Sequence, residues 1–148
     1  MDDVISWCRE FGLYVILDMH DAPGGQTGDN IDDSYGYPWL FESETSQQLF
    51  CDIWRRIAKY YRNEPVVLGY DLINEPIAPY FDNMSELNTL LEPLHKRVTA
   101  VIREVDPNHI IMLGAPQWNG NFDPFTDWTY DDNIMFTCHR YGGDASVA

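Results

Sequence analysis

Apolar positions along the chain follow two rhythms that alternate. Val4, Ile5, Trp7 and Cys8 share one helical face, and Gly12 follows where a helix C-terminus favours glycine. "LYVILDMH", residues 13–20, reads as a buried strand that turns polar at Asp18 and His20. A loop rich in Gly and Asp runs to about Ser43, and Thr45 or Ser46 is the expected cap of the next helix. Leu49, Phe50, Ile53, Trp54, Ile57 and Ala58 return to helical spacing; Trp7 and Trp54 are expected in the core. Asn63-Glu64-Pro65 ends that helix, and "VVLGYDLINEP" is a second strand. A helix from around Ser85 to Val105 turns Leu87, Leu90, Leu91, Leu94, Val98, Val101, Ile102 and Val105 inward, with Pro93 as a kink or a first turn. "IIMLGAPQW" and "NIMFTCHRY" complete the series as strands three and four, the latter after a short, poorly periodic connection from Phe122 to Trp128.

Strands joined by helices must run parallel, because a parallel return needs a crossover. Each strand also changes character at its C-terminal end: Asp18 and His20, Asn74 and Glu75, Gln117 and Trp118, His139 and Tyr141. A (β/α)₈ barrel carries its active site on that face. A doubly wound sheet binds at one crevice, and "APGGQTG" lacks the helix that a phosphate-binding loop requires. A full barrel needs eight strands and ~250 residues. The expected architecture is therefore a partial (β/α)₈ TIM barrel, about strands three to six, with residues 1–148 forming a fragment of one catalytic domain.

Charge narrows the partners. The 148 residues hold 24 acidic against 9 basic side chains, a net charge of -15. Nucleic acid is an unfit partner without a basic face, and anionic lipid is equally unfit. No stretch is apolar for long enough to span a bilayer, and the N-terminus is amphipathic rather than leader-like. Cys8, Cys51 and Cys138 fit neither a zinc knuckle nor a disulfide framework, so buried thiols are expected. The aromatic share of 14% is high, and Trp39, Trp118, Tyr35 and Tyr37 fall in loops after strands, where flat rings can stack on sugars or pack loops onto the barrel.

Asn74-Glu75-Pro76 by itself reads better as a turn than as a site. At the mouth of a buried strand, however, Glu75 is placed to donate and retake a proton, and Asn74 offers a donor and an acceptor. "LINEP" resembles the fourth-strand motif of the retaining glycosidases of clan A. "VILDMHDAPGGQTG" is similar to the third-strand motif of glycoside hydrolase family five, the cellulase family. "CHRYGG" resembles its sixth-strand motif, and "REVDPNHIIMLGAPQW" its run into strand five. The resemblance implies a retaining hydrolase of β-linked glucan-type polysaccharides, extracellular in its full-length form, using no cofactor. It implies that Glu75 is the general acid/base, Asn74 holds the sugar at the cleaved bond, His20 contacts hydroxyls of that sugar, His139 lies near the acid/base and Tyr141 orients the nucleophile. Trp118 and Trp39 are the aromatic candidates for sugar binding.

The family's nucleophile, a Glu ending strand seven, has no counterpart within these residues; Glu42, Glu44, Glu92 and Glu104 lie on helices or in a loop. Two other readings remain at this point. Asp18, His20, Glu75 and His139 have the chemistry of a metal-dependent barrel hydrolase, and a chain without a nucleophile suits a non-catalytic carbohydrate-binding remnant. Asp29, Asp32 and Asp33 lack EF-hand spacing and are expected to form a solvated acidic loop rather than a calcium site.

Overall fold

The computed structural model describes residues 1–32, 34–127 and 129–141. Four strands, β1 (Val15–Asp18), β2 (Val67–Asp71), β3 (Ile110–Gly114) and β4 (Ile134–Thr137), form one sheet in that order. Every pairing is parallel, with Asp18 beside Asp71, Asp71 beside Met112 and Gly114 beside Thr137. Helices α1 (Asp2–Glu10), α2 (Glu44–Tyr61) and α3 (Met84–Arg103) alternate with the strands. This is part of a (β/α)₈ barrel, as the alternation predicts.

The core lies between the sheet and the paired helices α2 and α3. Phe50, Trp54 and Ala58 of α2 and Leu87, Leu91, Val98 and Ile102 of α3 are buried against Tyr70, Leu72, Ile111 and Leu113. Each large side chain of this kind contributes roughly 1.5–3 kcal/mol through burial. Trp54 also spends its one donor well: its Nε1–H meets the Leu72 carbonyl at 3.1 Å, at the root of the Asn74-Glu75 loop. Behind the sheet, Tyr70 donates to Asp106 at 2.6 Å and His109 Nδ1 lies 2.6 Å from the same oxygen. Burial would raise the Asp106 pKa, but these bonds and the Asn108 and His109 amides hold it below the usual carboxylate range.

Several local expectations need correction. Trp7 is 59% exposed and Val4 is also exposed, because α1 buries only Ile5. Ser43, not Thr45 or Ser46, caps α2, its hydroxyl accepting from the Ser46 amide. Pro93 sits inside α3, removing one helical hydrogen bond, and Leu90 lies at the surface. The three cysteines are free; Cys51 is buried, Cys8 partly so, and Cys138 is exposed. Strands β3 and β4 end earlier than the apolar runs imply: Gln117 and Trp118 fall in the short turn Pro116–Asn119, and His139 and Tyr141 in the stretch after β4.

Candidate active site

Strand β2 ends at Asp71, and the chain turns just beyond it, at Asn74-Glu75-Pro76, for a reason. Proline cannot extend the ladder, and Glu75 and Ile77 on either side of it have φ of 45° and 54°, a left-handed backbone uncommon outside glycine. Such conformations persist where the surroundings over-determine them. Here the clamp is Gln26-Thr27. The buried Gln26 amide donates to the carbonyls of Asn74 (3.0 Å) and His20 (2.9 Å), and its Oε1 accepts from the Ala22 amide. Thr27 Oγ1 donates to the Glu75 carbonyl at 2.8 Å, while the Ile77 and Ala78 amides return bonds to Gln26 and Thr27. Asp32 anchors the clamp by accepting from the backbone amides of Gln26, Thr27 and Ser34. It is an organiser of the loop, not part of a solvated acidic run; Asp33 lies outside the described residues. Gly142 and Gly143 of the "CHRYGG" stretch, and Trp128, also lie outside them.

The carboxyl of Glu75 is buried yet borders a pocket of ≈ 420 Å³ lined by Asp29, Ile31, Gln117, Trp118, Gly120, His139 and Tyr141. His139 Nδ1 lies 2.9 Å from Glu75 Oε1, and the Tyr141 hydroxyl donates to the same oxygen at 2.7 Å. Accepting that bond, the carboxylate makes the phenol harder to ionise. His139 and Tyr141 thus converge on Glu75 from a loop rather than from one strand face. These two contacts on one oxygen fix the carboxyl's orientation at the pocket wall.

Beside it, His20 Nδ1 lies 2.8 Å from Asp18, which leaves Nε2 to accept from the Asn74 amide at 3.4 Å. The His20 side chain remains largely exposed. Asp71, next to Asp18 in the sheet, has a buried Oδ1 without a hydrogen-bond partner. Burial, reinforced by the Asp18 charge, pushes its pKa up to about 7. Asp18, His20, Glu75 and His139 form two separate pairs, His20–Asp18 and His139–Glu75. Among the described residues no group of three or more His, Cys, Asp or Glu side chains is arranged to hold a metal ion.

Trp118 stands on the pocket wall, 36% exposed. Trp39 is exposed too but packs on Tyr37 with ring centroids 4.7 Å apart, and it does not line the pocket with Glu75. Of the seven site residues named from the sequence, Asn74, Glu75, His20, His139, Tyr141 and Trp118 lie together, and Trp39 does not. The sequence did not single out Gln26, Thr27 or Asp32 as the clamp, or Asn88 behind Gln117. The "GGQTG" stretch was visible, but loop contacts across 48 positions leave no periodic signal.

A family model described as cellulase (glycosyl hydrolase family 5) matches residues 1–147. A beta-xylosidase of Phanerodontia chrysosporium is 33% identical over 95% of this chain and 29% of its own length. Endoglucanase C of Acetivibrio thermocellus is 32% identical over 95% of this chain and 38% of its own length. The chain thus spans about a third of the curated relatives it matches. Among solved structures, a beta-glucanase of Saccharophagus degradans superposes with a TM-score of 0.73 at 23% identity, covering 95% of this chain and 40% of that one.

Proposed function

The chain belongs to the cellulase family, glycosyl hydrolase family 5, and from that premise we propose that residues 1–148 are a fragment of the catalytic barrel of a retaining glycoside hydrolase acting on β-linked glucan-type polysaccharides. The observation that carries this reading is Glu75: a buried carboxyl at a strand mouth, oriented by His139 and Tyr141 and facing a pocket with an aromatic wall. Glu75 protonates the glycosidic oxygen as the bond breaks, then takes the proton from the incoming water. Asn74 and His20 hold the sugar at the cleaved bond, with His20 steadied by Asp18. Trp118 offers its face to a neighbouring ring. A second carboxylate, about 5–5.5 Å from Glu75 in a retaining site, comes from outside this chain. A polymeric substrate too large to cross a membrane fits an extracellular enzyme. Among the described residues no helix is long and apolar enough to cross one.

The test is Glu75→Ala in the full-length protein. With a dinitrophenyl glycoside, whose leaving group needs little protonation, the glycosylation step should be nearly unaffected. Hydrolysis of an oligosaccharide should fall by roughly 10²–10⁴-fold. Azide should restore turnover of the activated substrate as the glycosyl azide. Equal losses on both substrates, with no azide product, would remove Glu75 from the acid/base role.

A further inference from the structure

Pro116–Asn119 is a short turn in which Gln117, Trp118 and Asn119 have φ of 53°, 58° and 61°. Three successive non-glycine residues in the left-handed region cost roughly 1–2 kcal/mol each. Backbone bonds from Gln117 to Ile77 (2.9 Å) and Trp118 to Pro76 (3.4 Å) seat the turn on the loop that carries Glu75. The Gln117 side chain is held separately. Its Nε2 donates to Asn88 Oδ1 at 2.9 Å, Asn88 Nδ2 lies 3.4 Å from Gln117 Oε1, and Asn121 Nδ2 donates to that same oxygen at 2.8 Å. Asn88 is a buried amide on α3, next to the core residue Leu87 and one turn from Leu91.

The pocket beside Glu75 is lined by Gln117 and Trp118 but not by His20 or Asn74. A ring gripped by His20 and Asn74 at the cleaved bond therefore leaves this pocket to the sugar on the other side of the glycosidic oxygen, the leaving group. We propose that Asn88 and Asn121 are positioning residues: their amide latch on Gln117 fixes the left-handed turn and so holds Trp118 as the rigid wall of the leaving-group subsite. This rests on the reading of Glu75 as the proton donor. A wall held in place before binding spares the substrate the cost of ordering it, so the latch acts on affinity for leaving-group sugars rather than on bond cleavage.

Asn88→Leu removes the latch from the buried side and Asn121→Ala from the partly exposed side, where the Asp123 amide also loses its acceptor. The first readout needs no activity. In full-length protein labelled with fluorotryptophan, the Trp118 line, assigned with Trp118→Phe, should shift or broaden in both variants while the Trp54 line stays put. Kinetics supply the second. KM for a β-linked oligosaccharide that fills the pocket should rise roughly 3- to 10-fold at near-constant kcat. A glycosyl fluoride, whose leaving group leaves the pocket empty, should turn over as in the wild type, and Asn88→Asp, which keeps the acceptor for Gln117, should recover most of the loss. An unmoved Trp118 line in Asn121→Ala would overturn the latch. A moved line with unchanged KM, or equal losses on oligosaccharide and fluoride, would overturn its role in the subsite. A wild-type protein that cleaves neither substrate fails the glycosidase reading itself, and the fluorine line still decides the latch.

Discussion

At the scale of single residues, two buried titratable groups pull stability in opposite directions with pH. Asp71 has its pKa raised from 3.8 to about 7 by burial and by Asp18. The folded state therefore keeps a proton that the unfolded chain has released, and the stability present below pH 4 is lost as pH rises through about 7. His95 is the converse case. Its ring is fully buried on α3, both nitrogens lack hydrogen-bond partners, and burial lowers its pKa from 6.5 to about 3. Its contribution is present above pH 6.5 and is lost as pH falls toward 3. The two substitutions should consequently tilt the pH profile in opposite senses. Asp71→Asn is expected to raise the unfolding free energy at pH 8, by on the order of 1–3 kcal/mol, and to leave it near wild type at pH 4. His95→Leu is expected to help at pH 5 more than at pH 8. Urea titrations of the full-length variants at these pH values check both; parallel profiles for wild type and variants would refute the assignments.

At the scale of elements, regular structure was legible and the turns were not. Helix α2 and strand β2 follow from spacing alone, because Phe50, Trp54 and Ala58 must share a face and Val67, Gly69 and Tyr70 must be covered. The pattern misplaced Trp7, since helical spacing says which residues share a face but not whether anything packs on it. It also carried strand three through Trp118, because a left-handed turn built from Gln, Trp and Asn has no glycine to announce it. Its signature lies instead in Gly114, four residues before Trp118. A Cβ there would meet Asn119 Oδ1 at 2.6 Å and the Ile73 carbonyl at 2.7 Å, and the second neighbour is backbone that cannot swing away. Gly114→Ala should therefore cost about 1–3 kcal/mol of stability. Because Asn119 also bonds Thr137 and accepts from the His139 amide, activity should fall beyond what the lost folded fraction explains. Thermal unfolding and kcat measured on the same preparation separate the two; an unchanged melting temperature would refute the steric demand for glycine at 114.

At the scale of the molecule, the sheet has two edges, β1 and β4, and both present apolar side chains: Ile16 is 48% exposed and Met135 47%. Open parallel edges template further pairing, and a closed barrel removes them. On the proposed retaining mechanism the chemistry also needs a second carboxylate to attack the anomeric carbon. Glu42, Glu44, Glu92 and Glu104 are engaged with Tyr37, Arg97, Lys96 and Arg55 respectively, away from the pocket. Residues 1–148 expressed alone should accordingly associate, unfold with low cooperativity and fail to cleave an aryl β-glucoside, despite a net charge of -15 that opposes aggregation. Supplying the remainder of a relative's barrel as a second chain should suppress association if the edges are its cause. Sedimentation, denaturant unfolding and an overnight glycoside assay provide the measurements. Among the described residues the other carboxylate on the pocket wall is Asp29, whose Oδ1 accepts from the Asn30 amide. A stable monomer that hydrolyses the glucoside, and loses that activity in both Glu75→Gln and Asp29→Asn, would overturn the fragment reading and make Asp29 the attacking group.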